Sequence, residues 1–250
     1  MSEEQTRSVL LVVLGATAVW LWWSGQALNY VRPGLAPWLL AGGVVVGLLG
    51  LLPPLGLLGK ETAQADRHGG GHHQHRGRVG WLLLVPVLVV MLVQPAALGS
   101  YAAASRSTVP GGGHEGGFQP LAAPVRGAVP MSMAEFVTRA VRDPDQSLAG
   151  VRVRLTGFVA PSQGREGGYR LTRFVIFCCA ADAEALQAVV RGDPTPRARD
   201  QWLEIEGSWQ PRPPAAEDDA SPPPPALHAD TVRPVAPASP PYEYTVQFSG

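Results

Sequence analysis

The densest chemistry in this sequence is the string Arg173-Phe174-Val175-Ile176-Phe177-Cys178-Cys179-Ala180-Ala181-Asp182, which holds both cysteines of the chain and a carboxylate close behind them. Thiolates bind soft cations such as copper and zinc, and a carboxylate adds an oxygen donor with a negative charge. In an extended strand neighbouring side chains point to opposite faces, so both sulfurs reach one ion only where the chain turns. Three readings of the pair stand side by side: buried structural thiols, a soft-metal site of Cys178, Cys179 and Asp182, and a strained vicinal disulfide. Asp182 equally suits a turn cap, and Arg173 offers a cation to pair with it or with another chain.

A second group of ligand-type residues is His68, His72, His73 and His75, punctuated by Gly69, Gly70 and Gly71. Imidazoles at such spacing bind zinc, copper or nickel weakly without any fold, and the glycines supply no preorganisation, so a plain solvated loop is the competing reading. Toward the C-terminus only His114 and His228 remain. No Ser/His/Asp or Cys/His constellation can be assembled from them, and neither a phosphate loop nor a dinucleotide fingerprint occurs, so no enzyme is expected. A net charge of +0 gives no electrostatic reason to expect nucleic acid as a partner.

The elements that must carry these residues fall into two unlike halves. Charged side chains are absent from 8–31, from 33–59 and from 79–105. Each run exceeds the roughly 20 apolar residues that cross a hydrocarbon core, which predicts three transmembrane helices centred on about 8–28, 35–58 and 79–98 in a membrane region 1–106. Trp20, Trp22, Trp23, Trp38 and Trp81 suit the interfaces, while Pro53, Pro54, Pro86 and Pro95 predict kinks or ragged ends. A cleaved signal peptide fits the first run poorly, because Glu3 and Glu4 precede it and two more runs follow.

The loop 60–78 carries Lys60, Arg67, Arg76 and Arg78, against Arg32 alone in the loop before it. The positive-inside rule then makes this histidine-bearing loop and the N-terminus cytoplasmic, in a multi-pass protein of the cell membrane with its C-terminal half extracytoplasmic. No ionisable residue interrupts the runs, so the chain alone lacks the groups that usually mark a proton or ion path. Gly43 and Gly47 form a GxxxG pair that would admit another helix backbone, with Gly42 and Gly50 beside it.

Beyond the third run, 107–127 is rich in glycine, proline and alanine and reads as a flexible tether. Order should begin at Ser132, where Ser132 and Glu135 make a capping box and Met133, Phe136, Val137, Ala140 and Val141 share one face of a short helix ending before Pro144. Alternation predicts a strand over 151–159, and the stretch 169–179, nearly continuously apolar from Phe174 onward, predicts one buried on both faces. Further strands are expected at 186–190, 202–207 and 242–248. A mostly-β domain over 128–250 follows, a small OB-like barrel with one short helix and a Pro-rich solvated insertion at 211–225.

This layout resembles the YcgQ-like two-component permease subunit family, whose members combine a few N-terminal spans with an exported domain of unknown function. The resemblance rests on the strand ending Gly157-Phe158-Val159, the Arg173-Phe174 to Cys178-Cys179-Ala180-Ala181-Asp182 string, the 202–207 strand, and Pro241-Tyr242-Glu243-Tyr244. It implies an accessory subunit that works beside a multi-span membrane permease. The alternative is an autonomous cell-envelope protein that binds metal or exchanges thiols. Lipid bilayer is the surrounding partner in either case, and the only cofactor the residues suggest is a soft divalent metal or copper.

Overall fold

The structure is a computed structural model that describes residues 3–53, 82, 84–93, 96–106, 118–162, 168–211 and 223–244. The chain divides into two compact units, Met1–Ala96 and Ala97–Gly250. That division falls before the boundary at 106 that charge and hydropathy suggest.

In the first unit, helix α1 spans Glu3–Trp23 and helix α2 spans Ala36–Leu51. Gly25, at φ 73°, ends the first helix turn in the left-handed region where glycine is favoured, and two short 3-10 turns, Gln26–Asn29 and Pro33–Leu35, bring the chain back. The stretches Gln5–Trp23 and Pro33–Leu51, each 19 residues, are long and apolar enough to cross a membrane. Trp23 and Trp38, 82% and 75% exposed, lie at the same end of this antiparallel pair, as interfacial anchors would.

The two helices touch backbone to backbone. A Cβ on Gly15 would sit 2.5 Å from the Gly43 carbonyl oxygen and 2.6 Å from the Gly47 nitrogen. The partner of the Gly43/Gly47 pair is therefore α1 of the same chain, through a glycine that spacing in α2 could not reveal.

Among the described residues, two such helices are found where three were expected. Helix α3, Leu84–Val93, has 10 residues, which at about 1.5 Å per residue is half a hydrocarbon core. Among the flanking residues of that expected span, 79–81, 83 and 94–95 lie outside the described residues, as do the loop 60–78 and residues 54–58 of the second expected span.

The second unit is built on seven strands: β1 Val129–Pro130, β2 Arg152–Pro161, β3 Tyr169–Ile176, β4 Glu184–Arg191, β5 Trp202–Gln210, β6 Ala226–Pro234 and β7 Glu243–Tyr244. Their order is β1-β2-β5-β6-β4-β3-β7, with β2 also paired to β3. Five strands, β2 to β6, thus pair in a closed cycle in which β4 and β6 run parallel and the other neighbours antiparallel. Within the cycle strand β2 serves two neighbours, β5 along Arg152–Phe158 and β3 along Phe158–Pro161. Gly157 stands at that corner, where a Cβ would lie 2.6 Å from the Thr172 carbonyl oxygen, so only a bare backbone fits.

Helix α5, Met133–Arg142, starts at Ser132, whose hydroxyl accepts from the Glu135 N–H at 3.0 Å. Met133, Phe136 and Val137 pack onto Leu155, Leu171, Leu186, Leu203, Ile205 and Leu227 to form the main core. A second core of Phe158, Phe174, Ile176, Ala185 and Tyr242 lies under Ala103, which belongs to helix α4, Ser100–Ser105. The two cores take up Tyr169, Leu171, Phe174, Val175 and Ile176 of β3, and all eight of its positions are buried, which accounts for the apolar run from Phe174 onward.

One strand expectation is corrected. The fifth strand of the cycle is β6, not 242–248, of which only Glu243–Tyr244 is a described strand, parallel to β3. The polar sequence of β6 hides it: His228, Asp230, Thr231 and Arg233 interleave with buried Leu227 and Ala229, and a bulge opposite Glu206/Gly207 breaks the period-two pattern. Residues 212–222 of the Pro-rich insertion and 107–117 of the expected tether lie outside the described residues.

Candidate functional site

Strand β3 ends at Ile176, and the chain turns through Phe177, Cys178 and Cys179 into a 3-10 turn at Ala180–Asp182. The turn is made by Asp182. Its carboxylate accepts the backbone N–H of Phe177 at 3.0 Å, Cys178 at 2.8 Å and Cys179 at 3.2 Å. This is the reversal that the strand geometry demanded: it swings both thiols to one side, with Sγ of Cys178 and Sγ of Cys179 3.7 Å apart. The two sulfurs and an Asp182 oxygen all lie within 4.8 Å of one another.

Both cysteines are free thiols, Cys178 exposed and Cys179 half-buried. Hydrogen bonding to Asp182, and then to Cys179, pushes the Cys178 thiol up to about 11. Burial works to raise the Asp182 carboxyl, but the Cys178 thiol and the three backbone N–H groups outweigh it and hold the carboxyl below its ordinary value. The resting loop therefore sets the protonated Cys178 thiol beside a carboxylate. A cation entering it must displace thiol protons, as metal ions do at cysteine sites.

Arg173 is not at this site. It is buried on β3, its guanidinium carbon lies 4.8 Å over the Trp202 ring, its Nη2 donates to the Pro240 carbonyl at 3.2 Å, and its Nε is 3.9 Å from Glu243. Burial lowers its basicity, opposed by Glu243. Among the described residues, its Nε and Nη1 have no hydrogen-bond partner. Glu243 in turn accepts the first N–H groups of α5, from Met133 and Ala134, each at 2.9 Å. Arg173 and Glu243 together tie β3, β7 and the start of α5, which is a structural task.

Gly43 and Gly47 serve the helix pair described above, His228 is exposed on β6, and His68, His72, His73, His75 and His114 lie outside the described residues. One residue at the thiol loop escaped sequence reasoning. Arg106 Nη1 donates to the Ala180 carbonyl at 3.0 Å, and the Arg106 carbonyl accepts from Ala185 N–H at 2.9 Å. Arg106 ends a segment held to the sheet by Leu98 N–H on the Tyr242 hydroxyl, and by Ser100, whose N–H and hydroxyl reach the two Asp200 oxygens at 2.6 and 2.9 Å. Nothing in its local sequence signals this, because each contact is long-range.

No curated protein and no solved structure matches the chain. Residues 134–245, which span α5 and every strand of the closed cycle together with the Cys178–Asp182 turn, match the family model of the DUF1980 C-terminal domain. Joined to the apolar helices before it, that match makes the chain similar to a membrane-anchored domain of unknown function and supports a DUF1980/YcgQ-like family.

Proposed function

We propose that the chain is a membrane-anchored accessory subunit of a multi-span permease, with its β domain on the extracytoplasmic side and the Cys178–Cys179–Asp182 turn as the place where that domain handles its ligand. The closed cycle of five strands, with its one parallel neighbour pair, fits an OB-like barrel capped by α5. The side of the membrane follows from Lys60, Arg67, Arg76 and Arg78 against Arg32, with the apolar run at 79–98 as a third crossing.

One observation carries the reading: residues 97–106, at the end of the last uncharged run, are built into the β domain and hold the thiol turn through Arg106. Affinity capture of the full-length protein in gentle detergent tests this, and a multi-span permease should accompany it in stoichiometric amount. A clean monomer that carries out its ligand chemistry unaided would overturn it. The 3.7 Å thiol pair beside a carboxylate favours a second reading, an autonomous metal-binding protein of the envelope. Metal retained by protein that captures no permease would select that one.

A further inference from the structure

We infer that the Cys178–Cys179–Asp182 turn takes one divalent, tetrahedral cation of the zinc class per chain and leaves the fourth position open to an incoming ligand. The inference deepens the proposed role of this turn and rests on it.

The sulfur separation is close to the one a tetrahedral ion needs. Two thiolates bound at about 2.3 Å with a tetrahedral angle lie about 3.8 Å apart, whereas a linear pair of sulfurs at that bond length would lie about 4.6 Å apart. The two free thiols, hydrogen-bonded at 3.7 Å, already stand close to the tetrahedral spacing. A linear two-sulfur site, the arrangement open to copper(I) in a dithiol, would force the two adjacent side chains apart. The third donor points the same way, since a carboxylate oxygen suits zinc and is a poor partner for soft copper(I).

Asp182 is also held ready. The N–H groups of Phe177, Cys178 and Cys179 fix its orientation, as outer hydrogen bonds fix metal ligands elsewhere, and the Cys178 thiol already hydrogen-bonds to it. Metal entry then exchanges two S–H bonds for two metal–sulfur bonds and releases two protons to solvent, with no change of oxidation state. Three protein donors leave a tetrahedral ion one site short. Because Cys178 is exposed, that site faces outward, as in zinc centres that exchange a ligand and unlike closed structural ones.

The test uses the reduced full-length protein in detergent with cobalt(II) as the probe, zinc(II) as competitor and copper(I) in a parallel anaerobic titration. One cobalt per chain should bind with a sulfur-to-cobalt charge-transfer band and the intense visible bands of a four-coordinate ion, and stoichiometric zinc should bleach both. Cys178→Ser and Cys179→Ser should each abolish the two-sulfur spectrum. Weak binding to the histidine loop is told apart because imidazole gives no sulfur band. Asp182→Asn should keep the sulfur band while lowering zinc affinity by about tenfold or more. Asp182→Glu, which retains the carboxylate, should restore part of it if the Asn variant loosens the turn. Added imidazole should shift the visible bands of the bound cobalt by taking the open position.

Two chains per ion, or visible bands indifferent to imidazole, would overturn the open fourth position. Copper(I) uptake that zinc cannot match would overturn the metal class yet leave the turn as the ligand site. No sulfur band with any of the three ions would overturn the turn's ligand role as well, whatever the capture experiment says about a permease.

Discussion

Arg173 and Asp193 show how differently a charged side chain behaves under cover and at the rim. Arg173 lies under Trp202 with Glu243 as its counter-charge, and removing one member of a buried pair leaves the other uncompensated. Arg173→Met should lower the stability of the full-length protein by about 3 kcal/mol, and Arg173→Met with Glu243→Gln should recover part of the loss, both read from denaturant melts. At Asp193, burial works upward, but Arg197 at 2.8 Å, the Thr195 N–H and the Tyr169 hydroxyl outweigh it and hold the carboxyl at about 2. A depressed carboxyl adds stability above its ordinary value of 3.8 that is lost as pH falls toward about 2. The melting temperature should therefore drop through that window, and Asp193→Asn should flatten the drop. The string from Arg173 to Asp182 was legible because its ligand atoms are neighbours in the chain. Arg106 was not, since its partner Ala180 is 74 residues away.

Elements were legible where their pattern answers to one face. The cap at Ser132 and the alternation in the first half of β2 each report a single buried side: the Ser132 hydroxyl accepts from the Glu135 N–H, while the Glu135 carboxylate pairs with Arg139, and β2 alternates until both its faces are covered from Gly157 to Ala160. β6 serves two neighbours and carries a bulge, so its polar residues and shifted register gave no period to read. Its weight is nonetheless real: Leu227 is fully buried, and Leu227→Ala should cost about 2–5 kcal/mol, measured by thermal melts with amide exchange along β5 and β4 as a local readout. In the helix pair, the GxxxG spacing was visible but its partner was not. Gly15→Ala should loosen the α1–α2 contact, whereas Gly42→Ala, with nothing within 4 Å of the added Cβ, should not. A cysteine pair placed across the two helices and tested for crosslinking distinguishes the variants.

Across the whole molecule, composition separates an apolar half from a charged one, and that contrast was enough to expect helices followed by a β domain. Hydropathy alone could not place the seam, because residues 97–106 are apolar for a different reason: Ala103 roofs the second core rather than facing lipid. Their attachment depends on Asp200, a residue at φ 61° whose two oxygens hold Ser100. Asp200→Gly keeps the backbone comfortable and removes both bonds, so the stretch 97–106 should become a protease-sensitive site while the melting of the β domain shifts little.

The grip of Arg106 has a mechanical corollary. Its carbonyl and its guanidinium bracket the turn, one on Ala185 and one on Ala180, so a rearrangement of the turn must be accommodated by the segment 97–106. Loading the turn should slow hydrogen exchange at Ala185 and Ala103 together, and removing the guanidinium with Arg106→Ala should uncouple the second from the first. A domain wired in this way would carry a change at the turn into the segment 97–106.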